Sequence, residues 1–182
     1  MKAFLTSPQV TQAKTVLLDQ LARLSLPGKE TFVSTEEFEV GKKIGRRALR
    51  SISWNFSKHF LSVTEYHVRV RQITVWTLLH TAGDKWILET LDGQRDGGKC
   101  TLADIHSLMT LGEKASNHLD GQSNFAYVTS PIDRQLWAVH WLVNSTNEWI
   151  IGSVQVPHPF TDWRHGCRLF TSDSDVALRP RS

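Results

Sequence analysis

Cys100 and His140 are the two residues whose side chains could together carry out nucleophilic catalysis. Cys100 follows Gly98 and Lys99, and the apolar spacing from Thr101 onward predicts a helix. A helix N-terminus and a neighbouring ammonium group both lower the pKa of a thiol and favour the reactive thiolate. His140 lies in a predicted strand and would act as the base. The pair therefore predicts a thiol hydrolase as one possible activity.

The order of these two residues along the chain, cysteine first and histidine later, is similar to that of papain-like hydrolases. The resemblance covers Cys100 and His140 alone, and Thr101 stands where papain-like enzymes usually carry an aromatic residue. It implies a papain-like thiol hydrolase as the enzymatic alternative.

A run of basic residues indicates binding instead of catalysis. The run lies in a segment predicted to be helical, and its members are spaced at three and four residues: Lys42, Lys43, Arg46, Arg47 and Arg50. On a helix they would share one face and repel one another by about 0.2–0.5 kcal/mol per pair. An anionic partner would relieve this repulsion. A solvated face is the alternative, because acidic residues near a helix start and basic ones after them also suit the helix dipole.

Trp137 and Trp141 belong to one predicted strand. They lie an even number of positions apart, so both indoles share a face, and His140 lies on the other face. Such a row of aromatic rings suits either core packing or a stacking surface for bases or sugars. The sequence leaves both interpretations open.

Metal and cofactor motifs give no support for a bound group. The eight histidines include no pair with the helical i, i+4 spacing of a zincin. A calcium-like loop from Asp92 has Ala103 where a bidentate glutamate is required. No glycine-rich phosphate loop or dinucleotide fingerprint is present. We therefore expect no metal and no cofactor.

Composition limits the class of protein. The chain has 182 residues, of which 40% are hydrophobic and 21% charged, and its net charge is +3. This is typical of one globular domain, and two cysteines are too few for a disulfide framework. No apolar run approaches the roughly 18 residues of a membrane helix, and the start does not resemble a signal peptide. We expect a cytoplasmic protein without a membrane partner.

Two helices are predicted before the cysteine. Ser7 and Pro8 are favourable at a helix start, and an apolar stripe at spacings of three and four continues to Leu26, where Pro27 and Gly28 follow. Its members are Val10, Ala13, Leu17, Leu21 and Leu24. A capping box at Ser34 begins a second helix, which runs through the basic residues to Ile52.

The remainder predicts a sheet with one inserted helix. Alternating apolar and polar residues predict strands over 60–79, with a bend near Gln72, and over 85–91, 124–129, 135–143, 148–156 and 163–170, the last at an edge. A helix is predicted over 101–116. The fold class is therefore α+β, with two N-terminal helices followed by an antiparallel sheet of five or six strands and one inserted helix. Residues 1–170 form this single domain and 171–182 a flexible tail.

The functional prediction is a non-enzymatic binding or accessory protein. Its basic helix, residues 42–50, would engage an anionic macromolecule, either nucleic acid or an acidic protein surface. The papain-like hydrolase is one alternative. A protein–protein interaction domain that docks through its sheet is the other. The sequence does not indicate an oligomeric state.

Overall fold

A mixed eight-stranded sheet dominates the computed structural model, which describes residues 17–91, 98–112, 123–158 and 162–173. The strands are β1 (Leu18–Leu26), β2 (Lys29–Val33), β3 (Lys43–Ile44), β4 (Arg47–Ile52), β5 (Thr64–Val68), β6 (Arg71–Leu78), β7 (Ala82–Gly83), β8 (Asn124–Thr129), β9 (Leu136–Val143), β10 (Trp149–Gln155), β11 (Asp162–Trp163) and β12 (Arg168–Ser172). The helices are α1 (Ser34–Glu37), α2 (Trp54–Phe60), α3 (Asp84–Leu91) and α4 (Leu102–Leu111).

The strand order in the main sheet is β1-β6-β12-β8-β9-β10-β4-β3. Neighbours are antiparallel except for two parallel pairs, β12 with β8 and β10 with β4. Two small antiparallel pairs, β2 with β5 and β7 with β11, lie outside this sheet. Both parallel pairs join segments that are far apart in the chain.

Side chains alternate between two hydrophobic clusters, one on each face of the sheet. Along β8, Ala126 and Val128 belong to the first cluster, whereas Phe125 and Tyr127 belong to the second. Helices α2 and α4 supply residues to the first cluster, and α3 supplies residues to the second. Because both faces are covered, the central strands are apolar on both sides.

The predicted pair of N-terminal helices is wrong. Residues 18–26 form β1, which pairs antiparallel with β6 and contains a register shift between Gln20 and Ala22. After this shift Ala22, Leu24 and Leu26 pack against the first cluster, which is a period of two and not of three or four. Sheet pairing with a distant strand therefore overrides the local helical spacing. Residues 8–16 of the predicted helix lie outside the described residues.

The second predicted helix ends after a single turn, α1, at Glu37. Gly41 and Gly45 adopt positive φ angles of 91° and 64°, which glycine tolerates and which turn the chain into the β3–β4 hairpin. A Cβ atom at Gly45 would lie 2.9 Å from the carbonyl oxygen of Thr110, so α4 does pass close to this glycine. The basic residues therefore lie on a hairpin and not on a helix.

The predictions for the other elements agree with the structure in part. Strands β8, β9 and β10 confirm the three predicted strands to within one or two residues, and α4 confirms the inserted helix. Residues 113–116 of that predicted helix lie outside the described part. The predicted strand over 85–91 is instead helix α3. The predicted strand over 60–79 is divided into β5 and β6, and its break at Arg69 and Val70 lies before Gln72, which pairs with Ser25 inside β6.

The predicted edge strand over 163–170 is also wrong in position. It divides into β11 and β12, and β12 lies inside the sheet between β6 and β8. Thr171 and Ser172, assigned to the predicted tail, complete β12, whereas residues 174–182 lie outside the described ones. Among the described helices, none has the length and apolar character that a membrane span requires.

Candidate functional site

A polar cavity of about 400 Å³ lies between helix α2 and the adjoining ends of β9 and β10. We call it the α2 cleft, and define it by the polar and aromatic residues Trp54, Lys58, His59, Asp133, Trp137 and His158. They come from three separate parts of the chain. Its volume falls within the range of small-ligand sites.

Helix α2 is held by its N-cap residue, Ser53, and by its apolar face. The Ser53 hydroxyl oxygen accepts the backbone N–H of Phe56 at 3.2 Å and that of Ser153, on β10, at 3.3 Å. Phe56 and Phe60 are fully buried in the first cluster. The capped N-terminus and the buried face together fix the helix against the sheet.

The opposite face of α2 carries an exposed aromatic residue and a cation. Trp54 is 71% exposed, and the Lys58 Nζ atom lies 5.0 Å from the centroid of its ring. Residues at i and i+4 are neighbours on a helix, so this cation–π pair follows directly from the sequence spacing. The mouth of the cleft thus combines a flat π surface with a positive charge.

His59 reaches the cleft from the buried side of α2. The side chain of this residue lies against Trp137, with 4.2 Å between ring centroids, and its Nδ1 atom is 3.1 Å from Oδ2 of Asp133. The two atoms are within ion-pair distance, but the buried Nδ1 atom is not aligned for a hydrogen bond. Because Nδ1 faces the carboxylate, Nε2 is the ring nitrogen left for a ligand.

The carboxylate of Asp133 is organised by the turn before β9. It accepts the backbone N–H of Gln135 at 3.0 Å. Burial raises the pKa of Asp133, but the hydrogen bonds from Gln135 and Ser130 and the nearby His59 lower the pKa below its usual value. The Trp137 indole N–H has no aligned hydrogen bond but also contributes to this lowering. Asp133 is therefore a stable negative charge at the cleft.

His158 enters the cleft from the segment after β10. Its backbone N–H is 3.4 Å from Oδ2 of Asp84. The buried Asp84 carboxylate also accepts the Tyr127 hydroxyl at 2.9 Å and the Trp163 indole N–H at 2.8 Å. The backbone of this segment is thereby tied to the second cluster, while the His158 residue is exposed.

Cys100 and His140, the candidate catalytic pair, lie on opposite sides of the sheet. Cys100 is buried in the first cluster, and its thiol contacts the carbonyl oxygen of Phe170 at 3.5 Å. His140 is paired with Phe125 and lies near Trp163, both members of the second cluster. The structure does not bring the two residues together.

The electrostatic surroundings of Cys100 also differ from those expected. Burial, followed by the charge of Asp104, raises the pKa of the Cys100 thiol well above its usual range. The start of α4 is capped instead by Thr101 and Asp104, which form a reciprocal capping box. For the imidazole of His140, burial has the opposite effect and lowers the pKa.

The five basic residues have different surroundings. Lys42 forms an ion pair with Glu37 at 2.9 Å, and the Arg47 Nε atom donates to Asn147 at 2.8 Å while its guanidinium lies over Trp149. The other three are exposed on the β3–β4 hairpin, at the end of the sheet, and we call them the basic edge: Lys43, Arg46 and Arg50.

Trp137 and Trp141 share one face of β9, and His140 lies on the other, as predicted from the alternation. Their exposed fractions are 4% and 0%, so both indoles are core residues. The exposed tryptophan of the cleft is Trp54, which was not predicted from the sequence to be a site residue. The signal that would have found it is the Trp54–Lys58 spacing of four residues.

A second cavity, of about 290 Å³ and mostly apolar, lies between α4 and the β2–β5 pair. His106 lines it and is 3.5 Å from Glu37. Burial lowers the pKa of His106 to about 4. Burial raises the pKa of Glu37, but Lys29 and Lys42 overcome this and lower it to about 2.

The described residues include no group of three or more His, Cys, Asp or Glu that could hold a metal ion.

The residues of the α2 cleft come together only in the fold, and no short motif joins them. Comparison with protein-family models, with curated proteins and with solved structures finds no match for this chain. Any function of the cleft is therefore inferred from its geometry.

Proposed function

We propose that this protein binds single-stranded RNA in the α2 cleft. The observation that carries the proposal is the pairing of an exposed Trp54 with Lys58 at the mouth of a polar cavity. A base stacks on the indole, and the phosphate beside that base lies near the ammonium group. This retains the predicted anionic partner but moves its site away from residues 42–50.

The combination of charge and aromatic surface favours a nucleotide over a neutral sugar. Base–aromatic stacking contributes about 1–3 kcal/mol per base. A neutral sugar would also use Trp54 but would gain less from Lys58, because it carries no negative charge to pair with the ammonium group. An acidic protein surface would use Lys58 but would gain little from the exposed ring. A nucleotide uses both groups at once.

Polar side chains inside the cleft suit the edge of a base. Asn55 donates its amide N–H to the carbonyl oxygen of Ser153 at 3.5 Å, which leaves its amide oxygen as an acceptor. Gln155, exposed at the end of β10, adds a second amide to the lining. Amides supply both donors and acceptors to bases.

Fluorescence anisotropy with a short, fluorescein-labelled single-stranded RNA of mixed sequence tests the proposal. Trp54→Ala should weaken binding by about 5- to 150-fold, the affinity equivalent of losing one stacked base. Trp86→Ala is the matched control, because Trp86 is 41% exposed on α3 and lies outside the cleft. Undiminished binding by Trp54→Ala, or equal losses in both variants, would refute the proposal. Binding of polyglutamate in place of RNA would support the acidic-protein alternative.

The basic edge supports a second candidate, non-specific binding of polyanions. Lys43, Arg46 and Arg50 are exposed together on the hairpin that ends the sheet. Exposed cations attract phosphates without reading their sequence. This candidate differs from the first in its site and in its independence of Trp54.

A further inference from the structure

We propose that the α2 cleft also cleaves the RNA that it binds, with His59 and His158 as general acid and general base. The inference rests on the proposed function, since it requires RNA to lie in this cleft. It adds a reaction to what would otherwise be a binding site. The geometry that suggests it is the presence of two histidines, an orienting carboxylate and a lysine around one cavity.

His59 is placed to act as the acid. Its Nδ1 atom faces Asp133 at 3.1 Å, and its ring is held against Trp137. Because the carboxylate lies beside Nδ1, the other ring nitrogen, Nε2, is the one that can face a bound molecule. The proton on Nε2 is then the one available to a leaving group in the cleft. Asp133 serves as a positioning residue.

His158 is placed to act as the base. It lines the same cavity but comes from a different part of the chain, and its backbone is anchored through Asp84. His158 is also exposed, so its side chain is accessible to a bound molecule. Both histidines line one cavity of about 400 Å³, a volume within the range of small-ligand sites.

RNA supplies the nucleophile that the cleft lacks. Among the described residues that line it there is no serine, threonine, cysteine or tyrosine. His158 removes the proton of the ribose 2′-hydroxyl, and the 2′-oxygen forms a bond to phosphorus. The bond from phosphorus to the 5′-oxygen breaks, and His59 donates its proton to that oxygen. The products are a 2′,3′-cyclic phosphate and a free 5′-hydroxyl, with no oxidant or further reactant required.

Lys58 completes the arrangement. Attack by the 2′-oxygen increases the negative charge on the phosphoryl oxygens, and a nearby ammonium stabilises this charge in the transition state. The position of Lys58 beside the stacking ring of Trp54 places the cation next to a bound nucleotide's phosphate. The same lysine therefore serves binding and reaction.

The test uses the full chain with a labelled single-stranded RNA and with the same sequence made of 2′-deoxynucleotides. Mass spectrometry should find RNA fragments that end in a 2′,3′-cyclic phosphate, and the deoxy strand should remain intact. The pH profile of the rate should be bell-shaped, as expected for one acid and one base. Asp133→Asn should alter the limb of this profile that belongs to the acid.

Histidine variants assign the reaction to the cleft. His158→Asn should lower the cleavage rate by about 100-fold or more while RNA affinity changes little. His59→Asn should have the same effect. His59 is buried and its replacement can destabilise the fold, so the variant of the exposed His158 is the one whose fold should be unaffected. His165→Asn is the matched control, since His165 is exposed and outside the cleft, and it should cleave at the parental rate.

Failure of the inference can be separated from failure of the proposed function. RNA that binds in a Trp54-dependent manner but is not cut overturns the catalytic inference and leaves the binding site intact. Cleavage that persists in His158→Asn, or that yields no cyclic phosphate, also overturns it. If RNA binding does not depend on Trp54, both the catalytic inference and the proposed function are overturned.

Discussion

The Nδ1 atom of His59 lies 3.1 Å from the Oδ2 atom of Asp133, although the two residues belong to different elements of the fold. His59 is on α2, and Asp133 is in the turn between β8 and β9. The contact joins a helix packed on the sheet to the connection between two of its strands. It is therefore a structural tie as well as the centre of the α2 cleft.

Removing the negative charge of Asp133 should destabilise the protein in a pH-dependent manner. Its pKa is lower in the folded state than in the unfolded chain, so its stabilising effect is present above the unfolded pKa. That effect is lost as the pH falls through the folded pKa. Urea unfolding should show a smaller free energy of unfolding for Asp133→Asn at neutral pH and no difference in strong acid. Asp19→Asn, at an exposed position on β1, is the control. Equal stability of parent and variant at neutral pH would contradict this expectation.

Leu17 and Leu21 should differ in their contribution to stability. A helical stripe would bury both, but Leu17, immediately before β1, is only 2% exposed, whereas Leu21, within β1, is 42% exposed. Leu17→Ala should lower the free energy of unfolding by about 2–5 kcal/mol, because it leaves a cavity in the second cluster. Leu21→Ala should change it by less than about 0.5 kcal/mol. Similar large losses in both variants, measured by urea unfolding, would favour the helical arrangement.

The strands of the main sheet differ in how well the local sequence predicts them. Strands β8 to β10 are predictable because each carries its own alternation and ends at turn residues, and neighbours in the chain are neighbours in the sheet. Strand β1 pairs with β6 and β4 pairs with β10, across long intervals of sequence. Nothing local indicates such partners, so helical spacing was the stronger signal.

The candidate site was less predictable for the same reason. His59, Asp133 and His158 share no motif, and only the fold brings them to one cavity. The basic run at 42–50 was visible, but its meaning depended on a helix that the positive φ angles of Gly41 and Gly45 exclude. A residue pattern is informative only when the secondary structure beneath it is correct.

Acidification should weaken the fold through His106. Burial lowers its pKa from 6.5 to about 4 in the folded state, so the unfolded chain binds more protons between these two values. The free energy of unfolding should therefore fall by about 2 kcal/mol between pH 7 and pH 5. His106→Gln should remove this loss, and His165→Gln should retain it. An NMR titration of the His106 ring that gave a value near 6.5 would rule out this mechanism.

Both cysteine thiols should react slowly in the native protein. Burial raises the pKa of Cys100 and of Cys167, and Asp104 raises that of Cys100 further. Timed alkylation with iodoacetamide, followed by mass-spectrometric assignment, should label Cys100 no faster than Cys167. Labelling of both should accelerate in denaturant, because exposure restores the thiolate. Rapid native labelling of Cys100 near neutral pH would contradict the burial of its thiol in the first cluster.

The basic edge should bind polyanions without affecting the cleft. Replacing Lys43, Arg46 and Arg50 by glutamine removes three exposed charges from the end of the sheet while leaving Lys42 with Glu37 and Arg47 with Asn147. If these cations bind sulfates or phosphates, the triple variant should bind heparin more weakly and with a smaller salt dependence, because fewer counterions are released. Its affinity for RNA through Trp54 should change much less once salt screens the exposed charges. Trp54→Ala provides the reciprocal comparison, because it should weaken RNA binding but not heparin binding. If the triple variant binds heparin as tightly as the parent does, Lys43, Arg46 and Arg50 form a solvated edge that only discourages strand pairing.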